Sequence, residues 1–312
     1  MTDFQLTTPV AFLIFNRPDT TARVFEAIRQ AKPPKLLVVA DGPRPDRADD
    51  IEKCKAARAI IDGVDWDCEV LTDYSDVNLG CKSRVSSGLN WVFEIVQEVI
   101  ILEDDCLPHS TFFRFCEELL KLYRNDSRIM QICGSNFLNG KRKIGDSYYF
   151  SKYGPIWGWA AWQRAWKYYD VNINLWKEVK DQQIYYNFCE NLEESLTRID
   201  LYDKVSIGEI DTWDYQWAFA KFINSGLCVT PNVNLISNIG FREDATHTFN
   251  PNTKEANMST SAIEFPLKHP LGIYRDRKAD EIYFAHTLKR SSLKSNVRKF
   301  VSLLKSLSAK VV

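Results

Sequence analysis

Apolar runs alternate with amphipathic segments through the first 135 residues of the chain. The runs VAFLIF (10–15), KLLVVA (35–40) and VIIL (99–102) are uninterrupted, which is typical of strands buried on both faces of a sheet. Between them, apolar positions recur at helical spacing, and Pro, Gly and Asp residues bound several segments. The pattern predicts strands at 10–15, 35–40, 69–71, 99–102 and 129–133, helices at 19–31, 82–97 and 111–124, and a charged helix that ends at Ile61.

This order of strands and helices predicts an α/β fold with a mostly parallel sheet flanked by helices. Ligands of such sheets bind beyond the carboxyl ends of the strands. The residues predicted at those ends are polar and mainly acidic: Asn16, Arg17, Asp41, Gly42, Asp73 and Glu103 to Asp105. The sequence contains neither G-x-G-x-x-G nor G-x-x-x-x-G-K-[ST], which disfavours a dinucleotide or P-loop phosphate site.

The second half of the chain is rich in tryptophan and predicts helices at about 174–198 and 212–224. Trp159, Trp162 and Trp166 have helical spacing, which predicts packing in the core, whereas Trp157 and Trp159 flank Gly158 and could face the C–H surface of a sugar. No Pro/Gly/Ser-rich linker separates the halves. We therefore expect one domain over 1–285, with a nucleotide-binding half (1–135) and an acceptor half (136–285), followed by a tail (286–312).

Composition and charge exclude several classes of protein. The balance of apolar and charged residues excludes wholesale disorder, and no apolar run is long enough to span a bilayer. The formal net charge of −1 argues against a nucleic-acid partner. The N-terminus lacks the pattern of a secretory signal, and the eight cysteines contain no C-x-x-C pair, so we expect reduced thiols and a cytoplasmic location.

The tail differs in charge from the rest of the chain. Residues 286–312 contain seven basic residues and no acidic one, whereas residues 1–285 contain 33 basic and 41 acidic residues. Apolar positions in the tail recur at helical spacing, which predicts a basic amphipathic helix. Such a helix could contact the anionic inner face of a membrane, or it could pack on the acidic body of the protein. The sequence favours neither alternative.

Three consecutive carboxylates, Glu103, Asp104 and Asp105, directly follow the most strand-like segment. Carboxylates this close repel one another unless a cation or solvent compensates, and Mg²⁺ and Mn²⁺ prefer such oxygen ligands. The alternative is a solvated acidic turn. Asp41 could accept a hydrogen bond from a base or ribose, or it could belong to an Asp-Gly turn. Arg17 could contact a phosphate or base, or it could form a surface salt bridge.

The segment EIDTWDYQW (209–217) is a candidate for acid–base chemistry. Asp211 and Asp214 share one helical face, and two tryptophans form another. An acid beside aromatic walls can have a raised pKa and act as a base. Asp211 also fits a helix N-cap, whereas Asp214 is predicted to lie too far into the helix to cap it. His247 lies in a polar loop, where a lone histidine is more often inert than a ligand.

Together these segments resemble glycosyltransferases of the GT-A fold, specifically those akin to N-acetylglucosaminyltransferase I. The resemblance covers most of residues 9–250, and its matching segments are IFNRP (14–18), LGCKSRVSSGLNWVFE (79–94), VIILEDD (99–105), PHSTFFRF (108–115), GWAAW (158–162), WDYQW (213–217) and VTPNVNLISNIGF (229–241). It implies a Rossmann-like nucleotide-sugar fold with a D-x-D-type motif at Glu103–Asp105.

The resemblance also implies roles for individual residues. Arg17 and Asp41 would contact the nucleotide, and Glu103 and Asp104 would position ribose and sugar hydroxyls. Asp105 would bind Mn²⁺ or Mg²⁺, and His247 is a candidate second metal ligand. Asp214 would be the catalytic base. Trp157 and Trp159 stay candidates for contact with the sugar.

The expected function is that of a metal-dependent inverting glycosyltransferase. It would move a hexosyl or N-acetylhexosaminyl group from a nucleotide-diphosphate donor, most simply a UDP-sugar, to a hydroxyl of a glycan or glycolipid. One alternative is a sugar-1-phosphate nucleotidyltransferase, but that class needs a Gly-rich basic loop where this chain has Asn16-Arg17-Pro18-Asp19. A second alternative, suggested by the tryptophan content, is a non-enzymatic carbohydrate-binding protein.

Overall fold

The computed structural model describes residues 4–138, 140–143, 145–241 and 256–288. Its strands are β1 (Val10–Ile14), β2 (Lys35–Ala40), β3 (Glu69–Tyr74), β4 (Glu98–Glu103), β5 (Cys106–Pro108), β6 (Ile129–Cys133), β7 (Tyr148–Ser151), β8 (Trp159–Trp162), β9 (Leu227–Pro231) and β10 (Ile236–Asn238). Its α-helices are α1 (Pro18–Ala31), α2 (Ala48–Ala59), α3 (Gly80–Ile95), α4 (Thr111–Tyr123), α5 (Gln163–Trp166), α6 (Trp176–Asp181), α7 (Leu192–Ser206), α8 (Asp214–Ile223) and α9 (Arg277–Tyr283). Short 3₁₀ helices lie at Ile60–Gly63 and Ile184–Asn187, and a π-helical turn at Phe284–Leu288 follows α9.

Eight strands form one sheet in the order β3-β2-β1-β4-β8-β6-β9-β7. The strands β1 to β4 run parallel, and β6 and β9 share their direction, whereas β8 and β7 are antiparallel to their neighbours. The predicted α/β fold with a mostly parallel sheet is therefore confirmed. A separate two-stranded pair joins β5 to β10.

Apolar residues cover both faces of the sheet, which explains the uninterrupted runs. In β1, Val10, Phe12 and Ile14 pack into one core with α1 and α4, and Ala11 and Leu13 pack into the other with α3 and α8. Successive strand residues point to opposite faces, so a strand that is covered on both faces is apolar at nearly every position. A third core lies among α6, α7 and α8.

The sheet register determines where the polar strand ends meet. Ile14 of β1 pairs with Ala40 of β2, and Leu13 pairs with Glu103 of β4. The residues that follow these strands therefore emerge side by side at one edge of the sheet. This is the edge at which ligands of parallel sheets bind.

The prediction of one helix over 174–198 is wrong. The chain forms α6, the 3₁₀ turn at 184–187 and then α7. Gln183 has a left-handed backbone conformation (φ 59°), and Asn191 caps α7 by accepting a hydrogen bond from the Glu194 amide at 2.9 Å. These two residues separate the helices, because a left-handed residue interrupts a helix and an N-cap starts a new one.

Trp159 and Trp162 are buried, as predicted, but they lie on β8 rather than on a helix. In the part of the chain that the structure describes, no helix is long and apolar enough to cross a membrane. All eight cysteines are free thiols. Residues 289–312, which form most of the predicted tail, lie outside the described residues, as does His247.

Candidate functional site

A cleft of about 1030 Å³ opens where the carboxyl ends of β1, β2 and β4 meet. The start of α3, the loop after β7, and residues of α7, α8 and α9 complete its walls. Its lining includes acidic and basic side chains: Asp41, Glu103, Asp104, Asp105, Glu209, Asp211 and Asp214, with Arg17, Arg44, Arg84, Lys152 and Arg198. Most polar residues that the sequence predicted at the strand ends therefore line one cavity.

Arg17 is the cation next to the carboxylates that follow β4. Its Nη1 atom lies 2.8 Å from Oδ2 of Asp105 and 3.9 Å from Oδ1 of Asp104. Asp104 is buried, and its Oδ2 accepts a hydrogen bond of 3.0 Å from the Phe15 amide. The end of β10 also contacts Asp105, because the side-chain amide of Asn238 donates to Oδ1 at 3.4 Å. Arg17 and the β1 backbone thus fix the orientation of both aspartates.

Glu103 is the least compensated carboxylate of the cleft. Its Oε1 atom is buried and has no hydrogen-bond partner. Burial raises the pKa of Glu103 well above its ordinary value, and the charges of Asp105, Asp104 and Asp214 raise it further. This region therefore has more negative charge than Arg17 neutralises, which is the electrostatic setting that favours a bound cation or a proton.

Asp214 is the first residue of α8 and lines the same cleft as Glu103. The helix begins later than the sequence predicted, so Asp214 lies at its N-terminus, and Asp211 precedes it rather than capping it. The hydroxyl of Thr212 donates a hydrogen bond to Oδ1 of Asp214. One carboxylate oxygen is therefore oriented by the chain itself.

Asp41 organises the loop that starts α3. Its carboxylate accepts hydrogen bonds from the amides of Gly42 (2.8 Å), Leu79 (2.8 Å) and Gly80 (3.1 Å), and from the side chain of Asn78 (3.1 Å). Burial raises the pKa of Asp41, and the three backbone amides oppose that shift. A Cβ atom at Gly42 would lie 2.5 Å from the Val77 carbonyl carbon, so this close approach requires glycine.

Only one of the two predicted sugar-facing tryptophans has access to the cleft. Trp157 is half-buried, lines the cleft, and makes edge-to-face contacts with Phe137 and Phe241 at 5.0 and 5.6 Å. Trp159 has no exposed surface and stacks on Trp213 in the core, with a centroid distance of 5.8 Å. A sugar contact by Trp159 is not compatible with this position, because β8 is covered on both faces.

The cleft contains carboxylate oxygens that could bind a divalent cation, but the described residues do not form a complete set of protein ligands. Within residues 4–138, 140–143, 145–241 and 256–288, no three His, Cys, Asp or Glu side chains converge as a metal site. The donors fit an ion that has Asp105 as protein ligand and takes its other ligands from phosphate and water, as Mg²⁺ often does.

Comparisons with known proteins give similarity to solved structures alone. No family model matches the chain, and no curated protein matches it. It is similar to the galactosyltransferase LgtC, solved with donor and acceptor sugar analogs, with 12% identity, a TM-score of 0.35, and coverage of 69% of this chain and 70% of that one. For S. aureus TarS the identity is 11% and the TM-score 0.38, and the match covers 73% of this chain but 58% of TarS. For 4-diphosphocytidyl-2C-methyl-D-erythritol synthase from Anaerococcus prevotii the identity is 10% and the TM-score 0.37, and the match covers 72% of this chain and 88% of that one. At these TM-scores no activity is transferred to this chain.

Sequence patterns did not single out several charged residues of the cleft. Arg84 is buried on α3, Lys152 follows β7, and Arg198 is buried on α7. The only signal for Arg198 is its spacing of four residues from Glu194, which is equally typical of exposed helix faces. The burial of Lys152 and Arg198 depends on how α7 packs against the loop after β7, and that of Arg84 on how α3 packs against β2 and β3. A single sequence indicates neither.

Proposed function

We propose that this protein transfers a sugar from a nucleotide-diphosphate donor, most simply a UDP-sugar, to a hydroxyl group of a glycan or glycolipid. The main support is the group of carboxylates around Arg17, where Asp104, Asp105 and the unpartnered Glu103 line one cleft at the carboxyl ends of the strands. This setting suits a ligand that has both phosphates and hydroxyls, because Arg17 can bind phosphate oxygens and the carboxylates can accept from hydroxyls.

The donor would lie along the ends of β1, β2 and β4. Arg17 would turn from Asp105 to a phosphate oxygen, and Asp104 and Glu103 would accept hydrogen bonds from ribose and sugar hydroxyls. Asp41 would support the nucleotide by holding the loop at 78–80 in place. Asp105 would hold Mn²⁺ or Mg²⁺, which supplies positive charge beside the diphosphate when it is bound.

Asp214 would act as the base of an inverting displacement. It takes the proton from the acceptor hydroxyl while that oxygen forms a bond to the anomeric carbon. The bond from the anomeric carbon to the diphosphate breaks, and its electron pair leaves with the phosphate oxygen. A single in-line step of this kind inverts the anomeric centre. The hydrogen bond from Thr212 fixes one oxygen of Asp214 and so orients the carboxylate for the acceptor.

Two other functions make different chemical predictions. A sugar-1-phosphate nucleotidyltransferase needs a Gly-rich basic loop after the first strand, whereas here Asn16 binds Asp50 at 2.7 Å and Pro18 starts α1. A non-enzymatic carbohydrate-binding protein would need exposed aromatic platforms, and Trp159, one of its two best candidates, is fully buried. Both observations favour the transferase.

Donor hydrolysis tests the proposal. The protein is incubated with UDP-glucose, UDP-galactose and UDP-N-acetylglucosamine, with Mn²⁺ or with EDTA, and products are separated by chromatography. We expect slow release of UDP from at least one donor with Mn²⁺ and no release with EDTA. A nucleotidyltransferase would instead form UTP when pyrophosphate is added, and a binding protein would leave every donor intact.

A further inference from the structure

A second group of cleft residues lies towards the β7 edge of the sheet, whereas Asp41 lies near the β3 edge. It comes from the loop after β7 and from α7, α8 and α9, and it consists of Lys152, Tyr153, Arg198, Tyr215, Phe222 and Tyr283. The sheet order separates β7 from β2 by five strands. This aromatic and basic group, which we call the basic wall, is therefore apart from the proposed donor site.

Arg198 is buried in the basic wall but has weak hydrogen bonds. Its side chain is about 5% exposed. Among the residues that the structure describes, its hydrogen-bond contacts are all long: Nε and Nη2 lie 3.4 and 3.5 Å from Oε1 of Glu194, and Nη1 lies 3.5 Å from the hydroxyl of Tyr202. The guanidinium carbon lies 4.1 Å from the ring centroid of Phe222 and 5.4 Å from that of Tyr153. Aromatic rings thus hold the guanidinium plane, and its N–H groups form only long hydrogen bonds with the described residues.

Glu194, the partner of Arg198, is already bound by other donors. Its oxygens accept from Lys152 at 2.8 and 2.9 Å, from the Tyr153 hydroxyl at 2.6 Å and from the Glu190 amide at 2.9 Å. Lys152 in turn also donates to the Phe188 carbonyl at 2.9 Å. Glu194 therefore accepts shorter hydrogen bonds from its other donors than from Arg198, which stabilises the carboxylate mainly through its charge.

Arg84 shows what a saturated arginine in this cleft looks like. It is buried to a similar degree, but it donates to the Ala40 carbonyl at 3.1 Å and to the carbonyl and Oδ2 of Asp73, both at 2.6 Å. A buried charge without such partners is costly. Among the described residues, Arg198 has no hydrogen bond as short as those of Arg84. A ligand with a negatively charged oxygen could supply one.

The charges around Arg198 also leave a positive excess. Among the described residues, the connected ion pairs join four cations to three carboxylates: Lys152, Arg198, Arg275 and Arg277 with Glu190, Glu194 and Asp280. Burial raises the pKa of Asp280 to about 6, so its negative charge is the weakest of the three at mildly acidic pH. Of these cations, Lys152 and Arg198 line the cleft, so an anion there would contact the basic side of the network.

We propose that Arg198 binds an oxyanion of the acceptor, so that the acceptor is an acidic sugar with a carboxylate or a phosphate ester. The inference rests on the proposed glycosyltransferase function. A planar guanidinium presents paired N–H groups that match the two oxygens of either oxyanion. Tyr153 and Phe222 would contact the apolar face of the same sugar. Arg198 is then a determinant of acceptor specificity.

The test compares matched sugars that differ in charge. Methyl galactoside, methyl galacturonide and galactose 6-phosphate are titrated into the full-length protein by NMR, together with the corresponding gluco series. Saturating UDP and Mn²⁺ are present to occupy the donor site. We expect the acidic member of at least one series to bind about tenfold more tightly than its neutral partner, which corresponds to about 1.4 kcal/mol for the charge-assisted pair. The two acidic probes distinguish a carboxylate from a phosphate ester.

Two variants locate the preference at Arg198. Arg198→Gln should abolish it, and Arg198→Lys, which keeps the charge next to Glu194 but loses the planar fork, should reduce it. Arg114→Gln is the matched control, because it removes another helical Arg–Glu pair, the 2.7 Å bond to Glu118, on α4. Thermal unfolding identifies variants that fail to fold. If Arg198→Gln does not fold, the reduced preference of Arg198→Lys becomes the test.

The outcomes separate this inference from the proposed function. If UDP-sugars bind but the acidic probe sugars are not preferred, or if none of the probe sugars binds, the assignment of Arg198 to the acceptor is overturned. The proposed donor site is not affected by either result. An undiminished preference in Arg198→Gln, or in Arg198→Lys where Arg198→Gln does not fold, overturns it too. If acidic sugars bind through Arg198 and no nucleotide sugar binds, the transferase proposal fails instead.

Discussion

The carboxylates of the cleft differ because each has different neighbours. Asp105 has Arg17 at 2.8 Å, Asp41 has three backbone amides, and Glu103 has a buried oxygen without a partner. Asp214 has a hydroxyl donor and lies at a helix N-terminus, where the helix dipole favours negative charge. The same functional group thus forms an ion pair in Asp105, supports a loop in Asp41 and gains proton affinity in Glu103, and we propose that in Asp214 it acts as a base.

The base assignment predicts a specific loss of turnover. Asp214→Asn keeps the shape of the side chain and an oxygen for Thr212, but it removes the proton acceptor. We expect turnover to fall by about 10² to 10⁴ with donor affinity unchanged, which is the usual range for loss of general base catalysis. Asp211→Asn, at the neighbouring acid, should retain turnover. An active Asp214→Asn enzyme would move the base to Asp211 or Glu209.

The buried carboxyl of Asp280 predicts a pH dependence of stability. Burial raises its pKa to about 6 in the folded protein, against about 3.9 when unfolded. Between these values the folded state binds more protons, so the free energy of unfolding should fall by about 2 kcal/mol as the pH rises from 4 to 6. Asp280→Asn should flatten that slope in denaturant titrations. Asp181→Asn, at an exposed helical position, should keep the wild-type slope, and identical slopes for all three proteins would refute the assignment.

At the scale of elements, the loop at 78–80 connects the strand ends to α3. Asp41 supplies acceptors for two of its amides and for the Asn78 side chain. Asp41→Asn replaces one acceptor oxygen with an NH₂ group that faces N–H donors. We therefore expect a loss of about 2–3 kcal/mol in the free energy of unfolding, together with weaker donor binding. Asp46→Asn, at an exposed position nearby, should change stability by less than about 0.5 kcal/mol, and equal stability of the two variants would contradict this role.

The strands and helices that the sequence predicted share one property. Each of β1, β2 and β4 contains an apolar run of four or five residues, and its two covered faces leave a continuous pattern in the sequence. The strand β8 has only the four residues WAAW, and its tryptophans mimic helical spacing, so its place between β4 and β6 was not predictable. The break between α6 and α7 depends on the left-handed residue Gln183 and on the N-cap Asn191, and a glutamine gives no signal of a left-handed backbone.

The same reasoning explains which parts of the site the sequence reveals. Arg17, Asp41 and Glu103 to Asp105 directly follow strands, so topology alone brings them together. Arg198 lies in mid-helix, and only tertiary packing buries it against Phe222. Trp159 lies inside β8 and is therefore buried in the core, whereas Trp157 precedes that strand. Local patterns therefore predict the donor side better than the acceptor side.

At the scale of the whole molecule, the membrane alternative for the tail makes a testable prediction. Residues 286–312 have seven basic residues, and each is worth about 1 kcal/mol near an anionic surface. We expect the protein to sediment with anionic vesicles and not with neutral ones, and salt should release it. A chain that ends at Leu288 should not sediment, and it retains Thr287, which lines the cleft. Replacement of Lys294, Arg298, Lys299 and Lys305 by Gln should also abolish binding. Binding that ignores salt and lipid charge would leave the tail as a structural element.

The central claim is that the strand ends form a metal-assisted donor site around Asp105. Calorimetric titration of UDP-sugars in Mn²⁺ into wild type and into Asp105→Ala tests it most directly. Wild type should bind at least one donor, should lose that affinity in EDTA, and should gain about 2.7 kcal/mol of stability when the donor is at 100 times its Kd. Asp105→Ala should fold normally, should bind about 100-fold more weakly, and should be insensitive to Mn²⁺. Equal donor affinity of the two proteins in Mn²⁺ would contradict the account.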